Sequence, residues 1–352
     1  MKSCILPLED LINPCSKSWT FINKKIFKLK YDFRVSVWKI LIPKKIAFGE
    51  NAAKEFEYPD NALIITTTES KIYEKWIEYM GIKNYTIYDK VTPDPAIETI
   101  EKIKNEFEGK NISCYIGLGG GSSMDVCKYL SKLTGVPKIL IPTTFGTGAE
   151  MTTYAVISFD HKKKLLQDEA FLADAAIVDP YFLPGTPFNI MRNSACDAAA
   201  QASEGFDSKL SNPLTKLFCK EAFDILEDAI INDKPELLPY GAMLSGIGFG
   251  NSSTTLGHAL SYVFSNEGVP HGYALSSCTT VAHEFNNSVY TDRFKKICQK
   301  LKFEPLKLKL PLDEAADVIM PDRGHLDNNP IDVSKQDIVK CLDKIVNSNP
   351  LA

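Results

Sequence analysis

Short β-branched runs alternate with helical patterns between residues 61 and 144, and this alternation limits the fold more than any other feature of the chain. The runs are NALIITTT, NYTIYDKV, ISCYIGLGGG and KILIPTT, whose β-branched and aromatic residues favour strands. Between them lie ESKIYEKWIEYMG, PAIETIEKIKNEFEG and SSMDVCKYLSKLTG, which carry apolar residues at helical spacing and end at glycines. Strands that alternate with such helices predict βαβ units and a parallel sheet.

The second half of the chain has a different pattern. Beyond about Pro187, β-branched runs become rare, and long Ala-, Leu- and Ser-rich segments predict helices. The segment DPYFLPGTPFN carries three prolines and a glycine, which discourage a continuous helix and indicate a boundary. We therefore expect an N-terminal extension over 1–30, an α/β domain with a parallel sheet over 31–185 and an all-α domain over 186–352.

Charge and composition argue against several classes of partner. The net charge is −4 and the Lys and Arg residues are scattered, so we expect no nucleic acid. No stretch approaches the roughly 20 apolar residues that span a bilayer, so we expect no membrane partner. The nine cysteines are an odd number without a CxxC pair, which suits reduced thiols better than a disulfide framework. A soluble, cytoplasmic protein with a small-molecule partner is the expectation.

One strand pattern runs directly into a helix through Gly119, Gly120 and Gly121. Glycines let the backbone approach a ligand, and a helix N-terminus offers free N–H groups and partial positive charge, which together suit a pyrophosphate. Ser122 and Asp125 are three residues apart, as in a variant of the capping box. The same pattern also fits a tight strand-to-helix turn without a ligand.

Three threonines follow the next strand, in the segment IPTTFGTGAE: Thr143, Thr144 and Thr147. The carboxyl ends of the strands form the ligand-binding edge of an open α/β sheet. Hydroxyl groups at that edge can bond a ribose or a carboxamide, or they can satisfy the backbone of their own loop.

The segment SACDAAAQASEG places Asp197, Gln201 and Glu204 four and then three residues apart, so a helix puts them on one face. Two of the five histidines, His258 and His271, lie in the same half of the chain. An Asp and two His with an open position can form a catalytic divalent-metal site. The histidines that we expect to be ordinary polar residues are His161, His283 and His325.

Taken together, these segments resemble the iron-containing (group III) alcohol dehydrogenase superfamily, which includes glycerol dehydrogenase and is related to dehydroquinate synthase. The resemblance extends from Ile42 to the C-terminus. It rests on IAFGENA, GGGSSMDVCK, IPTTFGTGAE, AAIVDPYFLPGTP, CDAAAQASEGF, GHALSY, VPHGYAL and DNNP, in that order. It implies a dinucleotide-binding α/β domain, a helical domain, an active site in the cleft between them, and a homodimer or larger homo-oligomer.

The resemblance also assigns roles to residues. The positions implied for the cofactor pyrophosphate are Gly119, Gly120, Gly121, Ser122 and Asp125. Those implied to lie near the nicotinamide and its ribose are Thr143, Thr144 and Thr147. The positions that match the metal ligands are Asp197, Gln201, His258 and His271. Tyr262 and His271 are implied to be catalytic.

Three of the departures from the family pattern affect the expected metal, catalytic residue and cofactor. Gln201 stands where iron-dependent members carry a histidine, and an amide oxygen is a weaker ligand, so Zn(II) bound by three protein ligands, as in glycerol dehydrogenase, becomes as credible as Fe(II). Tyr262 stands where many members carry a histidine near the substrate, and it can either relay a proton or pack beside the site. Thr67 stands where NAD-preferring members often carry an Asp, which favours NADP(H) over NAD(H), although Glu69 is close by.

The resemblance implies a metal-dependent, NAD(P)H-linked alcohol dehydrogenase or aldehyde reductase that interconverts a small aldehyde or ketone and its alcohol. The segment GHALSY resembles the branch that reduces small anionic aldehydes such as phosphonoacetaldehyde. Two alternatives stay open. One is a lyase of the dehydroquinate synthase type, and the other is a nucleotide-binding homologue that has lost its metal, and with it catalysis, through Gln201.

Overall fold

The computed structural model describes residues 37–67, 72–160, 162–184, 186–348 and 350–351. The chain divides into two units, Met1–Lys39 and Ile40–Ala352, and all described strands and helices lie in the second. The strands are β1 (Lys45–Phe48), β2 (Ala62–Thr67), β3 (Tyr85–Val91), β4 (Cys114–Gly119), β5 (Lys138–Pro142), β6 (Tyr154–Phe159), β7 (Lys162–Gln167) and β8 (Ala175–Val178). The predicted extension over 1–30 lies outside the described residues.

Thirteen α-helices accompany these strands in the described part of the chain. They are α1 (Ala52–Glu55), α2 (Ile72–Met80), α3 (Ile97–Phe107), α4 (Gly121–Thr134), α5 (Phe188–Asp207), α6 (Pro213–Ile231), α7 (Leu238–Gly250), α8 (Leu256–Asn266), α9 (His271–Asn286), α10 (Thr291–Leu301), α11 (Leu312–Ile319), α12 (Arg323–Leu326) and α13 (Lys335–Asn347). None of these helices is long and apolar enough to cross a membrane.

Six strands form one sheet in the order β1-β8-β5-β4-β2-β3, and every pairing in it is parallel. The central strands β4, β5 and β8 are buried at every residue, because helices cover both faces of a parallel sheet. This explains why their sequences read as continuous apolar runs. The predicted fold class, a parallel α/β part followed by a helical part, is confirmed.

The strands β6 and β7 form an antiparallel hairpin outside the main sheet, which the sequence patterns did not predict. The strand β7 has the sequence KKKLLQ and is mostly exposed, so it lacks the apolar alternation of a half-buried strand. A buried lysine of α4 holds the hairpin, since Lys128 Nζ donates to the Tyr154 carbonyl oxygen at 2.7 Å.

The helical part begins at Phe188, ten residues after the last sheet strand ends at Val178. The predicted domain boundary between residues 185 and 186 stays a prediction. The apolar segment GAMLSGIGFGNSSTTLGHALSYVFS forms two helices, α7 and α8, rather than one. Because α8 begins at Leu256 after a break at residues 251–255, His258 lies in its first turn.

Small residues let the two parts of the protein approach closely. A Cβ added at Gly146 would lie 2.6 Å from Ser194 Cα on α5, and one at Gly148 would lie 2.6 Å from Gly246 Cα on α7. No side chain fits at such distances, so the threonine segment packs its backbone directly on the helical part. The main apolar core continues across this contact, from the sheet into α5, α6 and α7.

Candidate active site

The glycine run forms a tight cradle at the carboxyl end of β4. Gly119 has a φ of 148°, a conformation that side chains disfavour, and a Cβ there would lie 2.8 Å from Ser123 Oγ. A Cβ at Gly120 would lie 3.1 Å from Thr144 Oγ1. The helix α4 begins at Gly121, so its free N–H groups and positive dipole end face this cradle. The chain is therefore shaped here for a close backbone approach by a phosphate group.

The predicted threonines lie beside the cradle. The Thr143 amide donates to the Gly119 carbonyl oxygen at 2.9 Å, and a Cβ at Gly121 would lie 3.3 Å from Thr147 Cγ2. Thr67 ends β2, the strand next to β4, and is half-buried. Glu69, the neighbour that bears on cofactor choice, lies outside the described residues.

A small cavity of about 10 Å³ lies next to this segment, between the threonine loop and the start of α5. It is lined by Thr144, Phe145, Leu183, Thr186, Met191, Ser194 and Leu238. Most of these side chains are apolar or carry a single hydroxyl group. The lining of this small cavity is therefore largely apolar, with hydroxyl groups from Thr144, Thr186 and Ser194.

The predicted capping box at Ser122 is wrong. The residue before α4 is Gly120, and no side chain caps this helix. Asp125 is buried and accepts a hydrogen bond from the Val156 amide of β6 at 3.0 Å, so it is not available to the helix N-terminus. Burial raises the pKa of Asp125 to about 6, against the effect of nearby Lys128. The contact of Ser122 and Asp125 with a cofactor stays a prediction.

The polar stripe of α5 meets both predicted histidines. Asp197 Oδ1 lies 3.7 Å from His258 Nε2 and 3.9 Å from His271 Nε2. One ligand atom from each of the three residues lies within 4.8 Å of the others. Tetrahedral ligands about 2.1 Å from a zinc ion lie ~3.4 Å apart, so a small contraction brings all three donors into bonding range. The residues therefore fit a divalent metal.

Gln201 lies one turn along α5 from Asp197 and belongs to the same cluster. Its Nε2 donates to Asp197 Oδ1 at 2.9 Å, and the residue is only 5% exposed. Its Oε1 has no hydrogen-bond partner among the described residues. A buried acceptor without a partner is costly, so this oxygen is available to a bound cation or to a donor on a ligand.

Glu204, the third residue of the stripe, orients His258. Its carboxylate contacts His258 Nδ1 and accepts hydrogen bonds from the Gly257 amide at 2.6 Å and the Thr255 amide at 3.3 Å. Because the carboxylate accepts the Nδ1 proton, Nε2 is the ring nitrogen of His258 that faces Asp197 and that a metal would bind. A carboxylate behind a histidine in this way sets the tautomer that binds metals.

The electrostatics of the site favour a cation. Burial opposes the charged form of His258, but Glu204 and Asp197 outweigh it and raise the pKa of the ring to about 9. Burial also opposes ionisation of Glu204, yet contact with His258 lowers its pKa to about 2. Two carboxylates thus hold a positive charge at His258, and a divalent cation can replace the proton there.

His271 is the first residue of α9 and is positioned by Ser261. The Ser261 hydroxyl donates to the His258 carbonyl oxygen at 2.7 Å, so its oxygen accepts from His271 Nδ1 at 3.4 Å. This arrangement leaves Nε2 of His271 directed at Asp197 with its lone pair free. Burial lowers the pKa of His271 to about 4, so the ring is neutral and able to bind a metal at neutral pH.

Further aromatic residues surround the histidines. Tyr262 lies 6.3 Å, centroid to centroid, from His271, and burial raises its pKa above the ordinary value for a tyrosine. His325, which we expected to be an ordinary polar residue, stacks on His258 with centroids 6.0 Å apart. Its segment is 67 residues beyond His258, and nothing in its local pattern indicates a site. For Glu204, the sequence does carry a signal of membership in the site, because a helix places this residue on the same face as Asp197.

A glycine cradle at the carboxyl edge of a parallel sheet, together with a carboxylate and imidazole cluster on the helical part, is typical of nicotinamide-linked, metal-dependent oxidoreductases. Residues 43–180 match the model of the iron-containing alcohol dehydrogenases, and residues 192–319 match the model of the C-terminal part of that family. The chain belongs to the iron-containing alcohol dehydrogenase family. The predicted family and the predicted enzyme class, an alcohol dehydrogenase or aldehyde reductase, are confirmed.

Individual relatives agree with this membership. The chain is 27% identical to a sulfoacetaldehyde reductase of Bilophila wadsworthia over 88% of its own length and 94% of the relative's. It is 27% identical to an NAD-dependent methanol dehydrogenase of Bacillus methanolicus over 74% and 79%. A crystal structure of a sulfoacetaldehyde reductase from Bifidobacterium kashiwanohense with NAD+ superposes with a TM-score of 0.80 at 21% identity, covering 89% of this chain and 100% of that one.

Proposed function

We propose that this protein reduces a small aldehyde or ketone to its alcohol, and catalyses the reverse reaction, with a nicotinamide cofactor in the glycine cradle and a divalent metal at Asp197, His258 and His271. The observation that supports this most is the three-donor cluster, whose ligand atoms lie within 4.8 Å of one another. Asp197 lies on α5, and the threonine segment packs directly on this helix where Gly146 meets Ser194. This contact supports a metal cluster next to the cofactor segment.

The metal, when bound, supplies a Lewis acid that polarises the carbonyl oxygen of the substrate. The protein's own residues prepare its place. Asp197 contributes the negative charge, Glu204 and Ser261 fix the tautomers of the two histidines, and Gln201 presents its unpartnered Oε1 from the same helix face. Three protein ligands and an amide oxygen suit Zn(II) as well as Fe(II), and we propose that either ion supports activity.

We propose NADP(H) as the favoured cofactor. Thr67 ends the strand next to the glycine cradle, where a carboxylate would repel a 2′-phosphate, and its hydroxyl group can instead bond one. The buried Oγ1 of its neighbour Thr66 has no partner among the described residues. Hydroxyl groups at this edge are compatible with both NADPH and NADH, so the quantity to measure is the ratio of the dissociation constants of these two cofactors.

A small anionic aldehyde is the proposed substrate class. Two similar proteins are named sulfoacetaldehyde reductases, and the matches to both cover most of this chain. The substrate in both of these names is a small aldehyde that carries an anionic group, and this supports the proposed class. A homodimer or larger assembly and a cytoplasmic location stay predictions.

The test begins with the purified protein and three measurements. Metal analysis is expected to give about one Zn or Fe per chain, and nicotinamide fluorescence is expected to show tighter binding of NADPH than of NADH. Aldehydes with and without an anionic group are then screened for NADPH oxidation. Asp197→Asn is expected to lose the metal and the activity but to keep cofactor binding. A protein that binds neither metal nor cofactor would leave only a non-catalytic homologue.

A further inference from the structure

Four aromatic rings form a closed circuit at the metal cluster. The ring centroids of His258 and His271 are 5.4 Å apart, and those of His271 and Tyr262 are 6.3 Å apart. Tyr262 and His325 follow at 5.7 Å, and His325 returns to His258 at 6.0 Å. Two members of the circuit are the proposed metal ligands. The other two, Tyr262 and His325, are therefore placed where a substrate on the metal would meet the protein.

Asp322 fixes the orientation of the His325 ring within this circuit. Its Nδ1 lies 2.8 Å from Asp322 Oδ1 and 2.7 Å from Oδ2, and the same carboxylate caps the short helix α12 through the His325 amide at 3.4 Å. The side chain of His325 is 9% exposed. A carboxylate on Nδ1 accepts its proton, so the lone pair of the neutral ring is on Nε2.

Apart from the Nε2 atoms of His258 and His271 that face Asp197, two polar atoms of the circuit have no hydrogen bond within the described part of the chain: Nε2 of His325 and the hydroxyl oxygen of Tyr262. Neither belongs to the fully buried polar atoms that lack partners, so both reach open space. With Nδ1 fixed by Asp322, the His325 ring therefore presents Nε2 as an oriented acceptor within the circuit that contains His258 and His271.

We propose that His325 is a substrate-binding residue of this site, that its Nε2 accepts a hydrogen bond from the hydroxyl group of the alcohol, and that Asp322 positions the ring for it. This inference rests on the proposed function, because it needs an alcohol at the metal cluster. It assigns a role to a residue that is separated from both metal-binding histidines in sequence and joins them only in the folded protein.

Two amide variants distinguish the roles of the two ring nitrogens of His325. In His325→Asn, the amide keeps the contact with Asp322 and the atom at the Nε2 position is lost. In His325→Gln, the amide oxygen reaches the Nε2 position and the contact with Asp322 is lost. Asp332→Asn is the matched control, because Asp332 is in the same segment and its side chain is 99% exposed.

A hydrogen bond made to the alcohol and to the transition state, but not to the aldehyde, predicts a specific kinetic pattern. In the oxidation of alcohol, His325→Asn is expected to raise KM about tenfold with kcat unchanged. In the reduction of aldehyde, it is expected to lower kcat about tenfold with KM unchanged, as the fixed equilibrium constant requires. His325→Gln is expected to show a smaller effect of the same pattern, and Asp332→Asn is expected to show none.

A binding measurement completes the test without turnover. The alcohol is titrated into enzyme saturated with reduced cofactor, a complex that cannot react, and nicotinamide fluorescence reports the dissociation constant. His325→Asn is expected to weaken this constant about tenfold at unchanged metal content. Unchanged alcohol affinity would overturn the proposal, and so would a loss of metal that explains the whole effect, since His325 would then only support His258. If the wild-type enzyme reduces no aldehyde, the proposed function fails by itself, whatever the variants show.

Discussion

Replacement of Glu204 by Gln tests how the metal cluster is held. The Glu204 carboxylate is 1% exposed and accepts from His258 Nδ1 and from two backbone amides. Its pKa falls from 4.5 to about 2. At about 1.36 kcal/mol per pKa unit, this shift corresponds to roughly 3 kcal/mol of stability that is present above pH ~4.5 and is lost as the pH falls toward 2. The variant is expected to lack most of this stability at neutral pH.

The effect on the metal follows from hydrogen-bond chemistry. In the Glu204→Gln variant, the new amide oxygen can still accept from the Gly257 amide, but the new NH2 group would then face the N–H group at His258 Nδ1. The ring avoids this clash by moving its proton to Nε2, the atom that is proposed to bind the metal. Changes behind a metal-binding histidine lower affinity about 10- to 100-fold, and we expect a loss in this range.

The assay is a competition titration of Zn(II) and Fe(II) against a chelator, with the melting temperature measured in parallel. Asp207→Asn is the matched control, because Asp207 lies on the same helix and also changes from a carboxylate to an amide. Burial raises its pKa to about 6, so its charge stabilises the fold little, and metal affinity is expected to stay at the wild-type value. If Glu204→Gln binds metal within about threefold of the wild type, Glu204 does not set the tautomer of His258.

Two further variants address the departure at Gln201 and the glycine cradle. Gln201→His is expected to raise Fe(II) affinity at least about tenfold, because imidazole binds Fe(II) better than an amide oxygen does, and an unchanged chelator titration would show that this position does not affect metal choice. Gly119→Ala is expected to weaken NADPH binding at least about tenfold, because its Cβ would lie 2.8 Å from Ser123 Oγ at a φ of 148°. Fluorescence titration measures this, and Gly135→Ala is the control, since Gly135 also has a positive φ but open space around it. Equal loss in both variants would mean that backbone strain, and not the cradle, is responsible.

Local patterns predicted the strands β2 to β5 and the helices between them, because a buried parallel strand must be apolar throughout and a surface helix must be apolar on one face. The same logic did not find the hairpin of β6 and β7, whose exposed lysines carry no such pattern. It also assigned Ser122 and Asp125 to a capping box, whereas Asp125 bonds the Val156 amide. The partner that decided this contact is 31 residues away and invisible to a local motif.

The sequence by itself indicated the layer structure and the glycine cradle, which follow from short-range patterns along the chain, and it indicated the residue types of the metal cluster through the family resemblance. Only the tertiary structure decided that Glu204 lies behind His258 and that His325 closes the aromatic circuit. The physical reason is that a tautomer or an oriented ring depends on a partner brought close by packing. Gln201 illustrates both kinds of information. The sequence identified it as a departure from the family pattern, and the tertiary structure shows that its Oε1 is buried without a hydrogen-bond partner among the described residues.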